Sequence, residues 1–335
     1  MIITRTPFRV TLGGGGTDLP SYYSRYGGLV FAMGITSYMY VMVNHRVIDR
    51  RIILHYSQSE TVETIDEIRH DLVREALRHH DVTDAVEISS VADLPAGTGV
   101  GSSGSFIVGL LLALHHYRRD FVTLQALAEE ACHLELDVLR KRVGKQDQYA
   151  AAFGGLTVLD IASGGAVRVE RVVLGLSALA DLAANTHLYY TGSRRDALAW
   201  LAPQDTAMAD DRDARHGVVA ESLHRIKEIG ARSIEAIRDE NFDRWGELLD
   251  EHWRQKRRMV PNVSPSRVDA IYDEVRTRFG VLGGKIVGAG GGGFLLLYCP
   301  RGHKPLERFM AEQGMPRLHY AVEPHGAKLV GDFSR

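Results

Sequence analysis

The stretch Leu94-Pro95-Ala96-Gly97-Thr98-Gly99-Val100-Gly101-Ser102-Ser103-Gly104-Ser105 decides how this 335-residue chain is read. Before it, Ala85 to Val91 alternates enough to be a strand. After it, Phe106 to Leu114 is apolar on every side, which predicts a buried helix. A glycine loop therefore feeds a helix start, where the first N–H groups lack internal partners and the helix dipole favours negative charge. Glycines let a backbone approach an anion closely and adopt positive φ. The loop reads as a phosphate cradle built from Pro95, Gly97, Gly99, Gly101, Ser102, Ser103 and Gly104, with the serines as caps or as hydroxyls for a phosphate-bound metal. Taken alone, it is also readable as a capped turn into a core helix. The dinucleotide pattern Gly-x-Gly-x-x-Gly occurs at Gly99 to Gly104 and again at Gly288 to Gly293, so that pattern discriminates little.

Composition narrows the function. The 40 basic and 42 acidic residues nearly balance, which argues against nucleic acid held by bulk electrostatics. Cys132 and Cys299 are the only cysteines, one in an expected helix and one ending an apolar strand, so both read as buried thiols. No apolar run approaches the ~20 residues of a membrane span, and Met1 leads directly into a strand without a signal-peptide pattern. A cytoplasmic protein with no membrane partner is expected. The length suits two domains, which we divide at 1–185 and 186–335.

Outward from the loop, Ile2 to Val10 reads as a strand with Arg5 and Arg9 on one side, and Pro7 between them marks an edge or a bulge. Gly13-Gly14-Gly15-Gly16 then precedes Thr17-Asp18. Either something approaches that backbone closely or the loop is merely flexible. Leu29 to Asn44 and Arg51 to Tyr56 read as strands, and about Asp66 to His79 and Thr123 to Arg142 as helices. Glu135 lies in the second helix among apolar neighbours, although a charge run on a helix is usually a solvated face. Asp147, in Gly144-Lys145-Gln146-Asp147-Gln148-Tyr149, is a positioned carboxylate or an N-cap. Lys145 can hold it ionised or meet a phosphate. Further strands are expected at 156–161, 166–173, 294–299 and 318–322, with helices through much of 212–278.

Three glycine motifs, at the N-terminus, near residue 100 and near residue 290, together resemble the GHMP kinases over essentially the whole chain. The string Pro95 to Ser103 is similar to that family's ATP loop, with Val100 where leucine is commoner and Gly104 where alanine is commoner. Lys285 to Phe294 is similar to its third motif. The resemblance implies an α+β, two-domain kinase: an N-terminal domain with a left-handed β-α-β unit, a ferredoxin-like C-terminal domain, and a site in the cleft between them. It implies ATP and Mg²⁺ as cofactors, with Ser103 and Glu135 holding the metal. Asp147 would orient and deprotonate the attacking hydroxyl beside Arg9, and Arg9 and Lys145 would offset charge on the transferred group. Gly15, Gly16, Thr17, Asp18, Gly290 and Gly291 are the implied substrate-binding positions.

Within the family, Thr4 to Arg9, Gly14 to Asp18, Gly144 to Tyr149 and Thr191 to Arg194 resemble the D-glycero-D-manno-heptose 7-phosphate 1-kinase branch. Fucose kinases and the octose 8-phosphate kinases of lincosamide antibiotic pathways are similar. The implied substrate is a long-chain aldose with a terminal phosphate, which requires cations away from the ATP loop. Arg194, Arg195, Lys256, Arg257 and Arg25 are candidates or ordinary surface charges, with Arg194 foremost because Thr191-Gly192-Ser193 ends a strand.

A nucleotide-dependent oxidoreductase needs an acidic residue ~20 positions after its glycines. A P-loop kinase is disfavoured because Lys285 is followed by Ile286. An L-fucose- or galactose-type 1-kinase and a non-catalytic sugar or nucleotide sensor are the alternatives, as a monomer or a homodimer.

Overall fold

The computed structural model describes residues 1–193, 197–260 and 263–333. Its first part runs β1 (Ile2–Gly13), α1 (Pro20–Tyr26), β2 (Gly28–His45), β3 (Ile52–His55), β4 (Ser59–Val62), α2 (Asp71–His79), β5 (Val86–Ala92) and α3 (Ser102–Arg118). It continues through α4 (Leu124–Cys132), α5 (Gln146–Phe153), β6 (Leu156–Ile161), β7 (Val167–Val172) and α6 (Leu176–Asn185). Then come β8 (Thr186–Tyr190), α7 (Ala197–Ala209), α8 (His216–Arg238), α9 (Phe242–Met259) and α10 (Ser266–Phe279). The chain ends with β9 (Gly283–Ile286), β10 (Phe294–Tyr298), α11 (His303–Glu312), β11 (Arg317–Leu318) and β12 (Lys328–Asp332).

β2 organises the first sheet. Its 18 residues pair with β1 along one edge, while on the other its start pairs with β6 and its end with β5. The sheet order is β12-β1-β2-β5-β3-β4, with β6 and β7 added at the start of β2. β3 and β5 are parallel, and α2 lies in their crossover. α3 is buried from Gly104 to Leu114 and packs on β1 and β2, as its all-round apolar sequence requires.

The second sheet has the order β11-β8-β10-β9, every pair antiparallel. Numbered along the chain its strands lie 4-1-3-2, with helices after the first and third. That is the ferredoxin-like arrangement the resemblance implied.

Three local expectations change. The helix expected over 123–142 stops at Cys132 and gives way to one π-helical turn, His133–Val138, which turns Glu135 inward. The strand expected at 318–322 shrinks to Arg317–Leu318. β12, not expected at all, returns from the second part to pair with β1. No helix among the described residues is long and apolar enough to cross a membrane.

Candidate active site

A cavity of about 830 Å³ opens at the start of α3 and is walled by both parts of the chain. Pro95, Gly97, Gly99, Gly101, Ser102 and Ser103 all line it. Gly101 precedes the helix with φ 82°, a left-handed conformation that glycine adopts without strain. No side chain caps α3, so its first N–H groups point towards the cavity unspent. Ser103 Oγ donates to Glu135 Oε1 at 2.7 Å, and Ser102 Oγ is buried without a partner among the described residues. Gly104 departs from its expected role. It lies behind the wall, where a Cβ would come within 2.6 Å of Asp147 Cβ. Its bare backbone lets α5 press against α3.

That packing presents Asp147. Arg9 Nε donates to Asp147 Oδ1 at 2.8 Å and Arg9 Nη2 approaches the same oxygen at 2.6 Å. Oδ2 has no partner among the described residues. Arg9 Nη1 donates to the Gly99 carbonyl at 2.6 Å, so one guanidinium ties the carboxylate to the glycine loop. Arg5 and Arg9 do not serve one site. The β1–β2 register shifts by two residues between Pro7 and Phe8, the extra residues Thr36 and Ser37 lying on β2. Arg5 instead pairs with Glu323 at 3.4 Å.

Glu135 is 1% exposed, and Gln148 Nε2 donates to its second oxygen at 2.5 Å. Burial raises its pKa above the ordinary carboxylate value, against the hydrogen bonds from Ser103 and Gln148. Asp18 also lines the cavity, and the N–H groups of Gly16 and Gln146 each reach its carboxylate at 3.1 Å. Burial pushes its pKa up despite these bonds, and the charge of Asp147 adds to the rise. Gly15 and Gly16 line the cavity beside it.

Thr17 does not. Its hydroxyl shares its one proton between the Gly14 and Leu29 carbonyls and accepts from the Leu29 N–H, so it holds the loop rather than a ligand. Lys145 is turned away as well. Its ammonium donates to the Gly165 carbonyl at 2.5 Å and sits 5.4 Å from the Tyr23 ring centre. The late glycine run meets the cavity through Gly288 and Ala289, whereas Gly290 and Gly291 pack against Val263, with Gly291 N–H donating to its carbonyl at 2.7 Å. A Cβ at Gly288 would meet the Gly99 carbonyl oxygen at 2.7 Å. The third motif thus buttresses the first.

Residues 66–155 match the family described as GHMP kinases N terminal domain, and residues 233–312 match GHMP kinases C terminal. Together the two matches span just over half of the chain. The chain belongs to the GHMP kinases. This GHMP kinase is 27% identical over 309 residues to a D-glycero-alpha-D-manno-heptose 7-phosphate kinase of Campylobacter jejuni, covering 89% of each. It is 26% identical over 340 residues to an L-fucokinase/L-fucose-1-P guanylyltransferase of Bacteroides fragilis, covering 88% of this chain and 34% of that one. The crystal structure of a D-glycero-D-manno-heptose 1-phosphate kinase from Bacteriodes thetaiotaomicron shares the fold, with a TM-score of 0.79 at 21% identity over 100% of both chains.

The GHMP kinase has a floor of basic side chains, of which the sequence offers Lys256 as a candidate cation and neither Lys285 nor His252. Lys256, Lys285 and His252 line the cavity near Arg9, all of them buried. Burial, reinforced by Arg9 and opposed by Asp18, lowers the Lys256 pKa to about 8. Burial and the neighbouring Lys256 and Arg9 lower that of Lys285, while burial, Lys285 and Lys256 keep His252 neutral. Lys256 also donates to the Gly288 carbonyl. His252 and Lys256 are four apart on α9, so helical periodicity could have paired them. Arg25 and Arg257 pair instead with Asp211 and Asp269 outside the cavity. Arg194 and Arg195 lie outside the described residues. Tyr56, His70 and Phe106 line the other end of the cavity, their rings packed at 4.8 and 5.2 Å between centres.

Proposed function

We propose that this GHMP kinase transfers the γ-phosphoryl of ATP to the anomeric hydroxyl of a phosphorylated long-chain aldose. D-glycero-D-manno-heptose 7-phosphate or an octose 8-phosphate is the substrate, and the product is the 1,ω-bisphosphate for nucleotide-sugar synthesis. The observation that carries the reading is Asp147, anchored by Arg9 through Oδ1 alone while Oδ2 is free beside the phosphate cradle. Oδ2 accepts the proton of the attacking hydroxyl, and Arg9 keeps the carboxylate oriented as the charge moves. Gly97 to Gly101 and the start of α3 receive the triphosphate, and the aromatic end at Tyr56 and Phe106 takes the base.

Ser103 and Glu135 suit Mg²⁺, since both offer hard oxygen donors, 2.7 Å apart, on the edge of the same cavity. When bound, the ion neutralises phosphate charge. Asp18 and the Gly15-Gly16 backbone bind sugar hydroxyls. Lys256, with Lys285 behind it, receives the substrate's own phosphate, a role that fits a charged lysine on the floor of a buried cleft. The relatives named for heptose phosphates support this substrate class. We further propose a cytoplasmic enzyme, monomeric or homodimeric, with its domains divided near residue 185.

The test is ATP consumption with D-glycero-D-manno-heptose 7-phosphate, an octose 8-phosphate, L-fucose and galactose at matched concentrations. The proposal expects the phosphorylated sugars to be preferred in kcat/KM. Preference for the unphosphorylated sugars would remove the second phosphate from the account, and no turnover with any of them would favour a sensor.

A further inference from the structure

Outside the cavity lining, three helices bring imidazoles around one carboxylate. His80 directly follows α2, His115 lies in the last turn of α3, and Glu130 lies on α4. Their donor atoms all fall within 4.8 Å of one another. His115 Nε2 is 2.8 Å from Glu130 Oε2, and His80 Nε2 is 2.9 Å from Oε1. His79 Nε2 reaches Oε1 at 3.2 Å from the same side.

We propose that His80, His115 and Glu130, joined by His79, form a binding site for Zn²⁺ that fastens α2, α3 and α4 together. Hydrogen bonding alone leaves the cluster incomplete. His80 is 5% exposed, yet its Nε2 and the Glu130 Oε1 beside it have no partner in hydrogen-bond geometry among the described residues. Buried polar atoms this close ordinarily resolve into a bond. A shared ion resolves them differently. Tetrahedral ligands about 2.1 Å from zinc stand roughly 3.4 Å apart, so the 2.8 to 3.2 Å carboxylate–imidazole separations here need to open by only about 0.2–0.6 Å to admit the ion.

The donor set also selects the metal. Imidazole nitrogens suit Zn²⁺ and disfavour Mg²⁺ and Ca²⁺. None of the four residues lines the active-site cavity, and together they tie three helices, so the role assigned is structural. α4 runs directly into the π-helical turn that carries Glu135, so the clamp steadies the element behind that carboxylate.

The experiment strips the whole protein with chelator and titrates it with Zn²⁺ and Co²⁺, reading stoichiometry, Co²⁺ ligand-field absorption and the melting temperature. The proposal expects one ion per chain, the strong absorption of four-coordinate Co²⁺, and a rise in Tm on loading. His80→Ala and His115→Ala should each weaken binding by at least the roughly 10–100-fold that loss of a mere supporting partner causes. No saturable Zn²⁺ binding by the wild-type protein overturns the proposal without recourse to any variant. Undiminished binding in the folded double variant also overturns it. Both readouts are independent of kinase activity.

Discussion

Replacing Gly104 by alanine, the residue commoner at this position in the family it resembles, should disable catalysis while sparing nucleotide binding. A Cβ there would lie 2.6 Å from Asp147 Cβ, 2.8 Å from its carbonyl carbon and 3.0 Å from Gln148 N. Carbon atoms in contact prefer ~3.5–4.0 Å, so the start of α5 must retreat by roughly 1 Å. The Arg9 bonds to Asp147, now 2.6 and 2.8 Å, then stretch beyond the ~3.2 Å range of a good hydrogen bond. A misplacement of ~1 Å at a reacting group can cost about 10² in rate. Overpacking adds a stability loss of ~1–3 kcal/mol. Ser102 and Ser103 face the other way, so KM for ATP should hardly move. Steady-state kinetics by ADP release, with thermal melting on the same samples, separates these effects. Asp147→Asn sets the floor, with a loss of ~10²–10⁴ expected for a general base. An unchanged kcat in folded Gly104→Ala would refute the claim that this glycine positions Asp147.

Three further outcomes follow from the site. Lys256, with its pKa lowered to about 8, is charged at neutral pH and loses its proton as pH rises through that value. KM for the sugar phosphate should therefore climb above pH 8, and Lys256→Met should raise KM at pH 7 and flatten that climb in a pH series. Between about 8 and the ordinary 10.5 the unfolded chain binds the extra proton, so Lys256 makes the free enzyme more stable as pH rises, which melting curves without substrate can check. Glu135→Gln should raise the Mg²⁺ concentration for half-maximal rate with little change in KM for sugar; an unchanged metal dependence would count against its role. Lys145→Ala should leave kcat near the wild-type value, because the ammonium faces Gly165 and Tyr23, and a large loss in the same rate assay would contradict that orientation.

Local chemistry made the glycine loop and the buried helix it feeds legible, because glycines and serines before an apolar run carry their meaning within a dozen residues. Pairings across the chain were not readable that way. Arg9 and Asp147, 138 residues apart, were brought together only by family resemblance. Lys145 was misjudged because nearness in sequence was taken for nearness in space. At the start of α5, residues two apart point to different sides of the helix. The strand pattern put Arg5 beside Arg9, whereas Arg5 is held by Glu323 and Arg9 by Asp147. β12 escaped notice because it is a short edge strand with little apolar alternation. Lys256 was one of several candidate cations and Lys285 was read only as part of a glycine motif, because no local pattern distinguishes a lysine on a cavity floor from one in water.

The central claim is the destination of the phosphoryl group. Incubating the enzyme with ATP and D-glycero-D-manno-heptose 7-phosphate, and recording phosphorus-coupled proton spectra of the product, tests it most directly. The account predicts a 1,7-bisphosphate whose anomeric proton couples to the new phosphorus. A phosphate on any other oxygen, or no ATP turnover with phosphorylated heptose or octose, would contradict it.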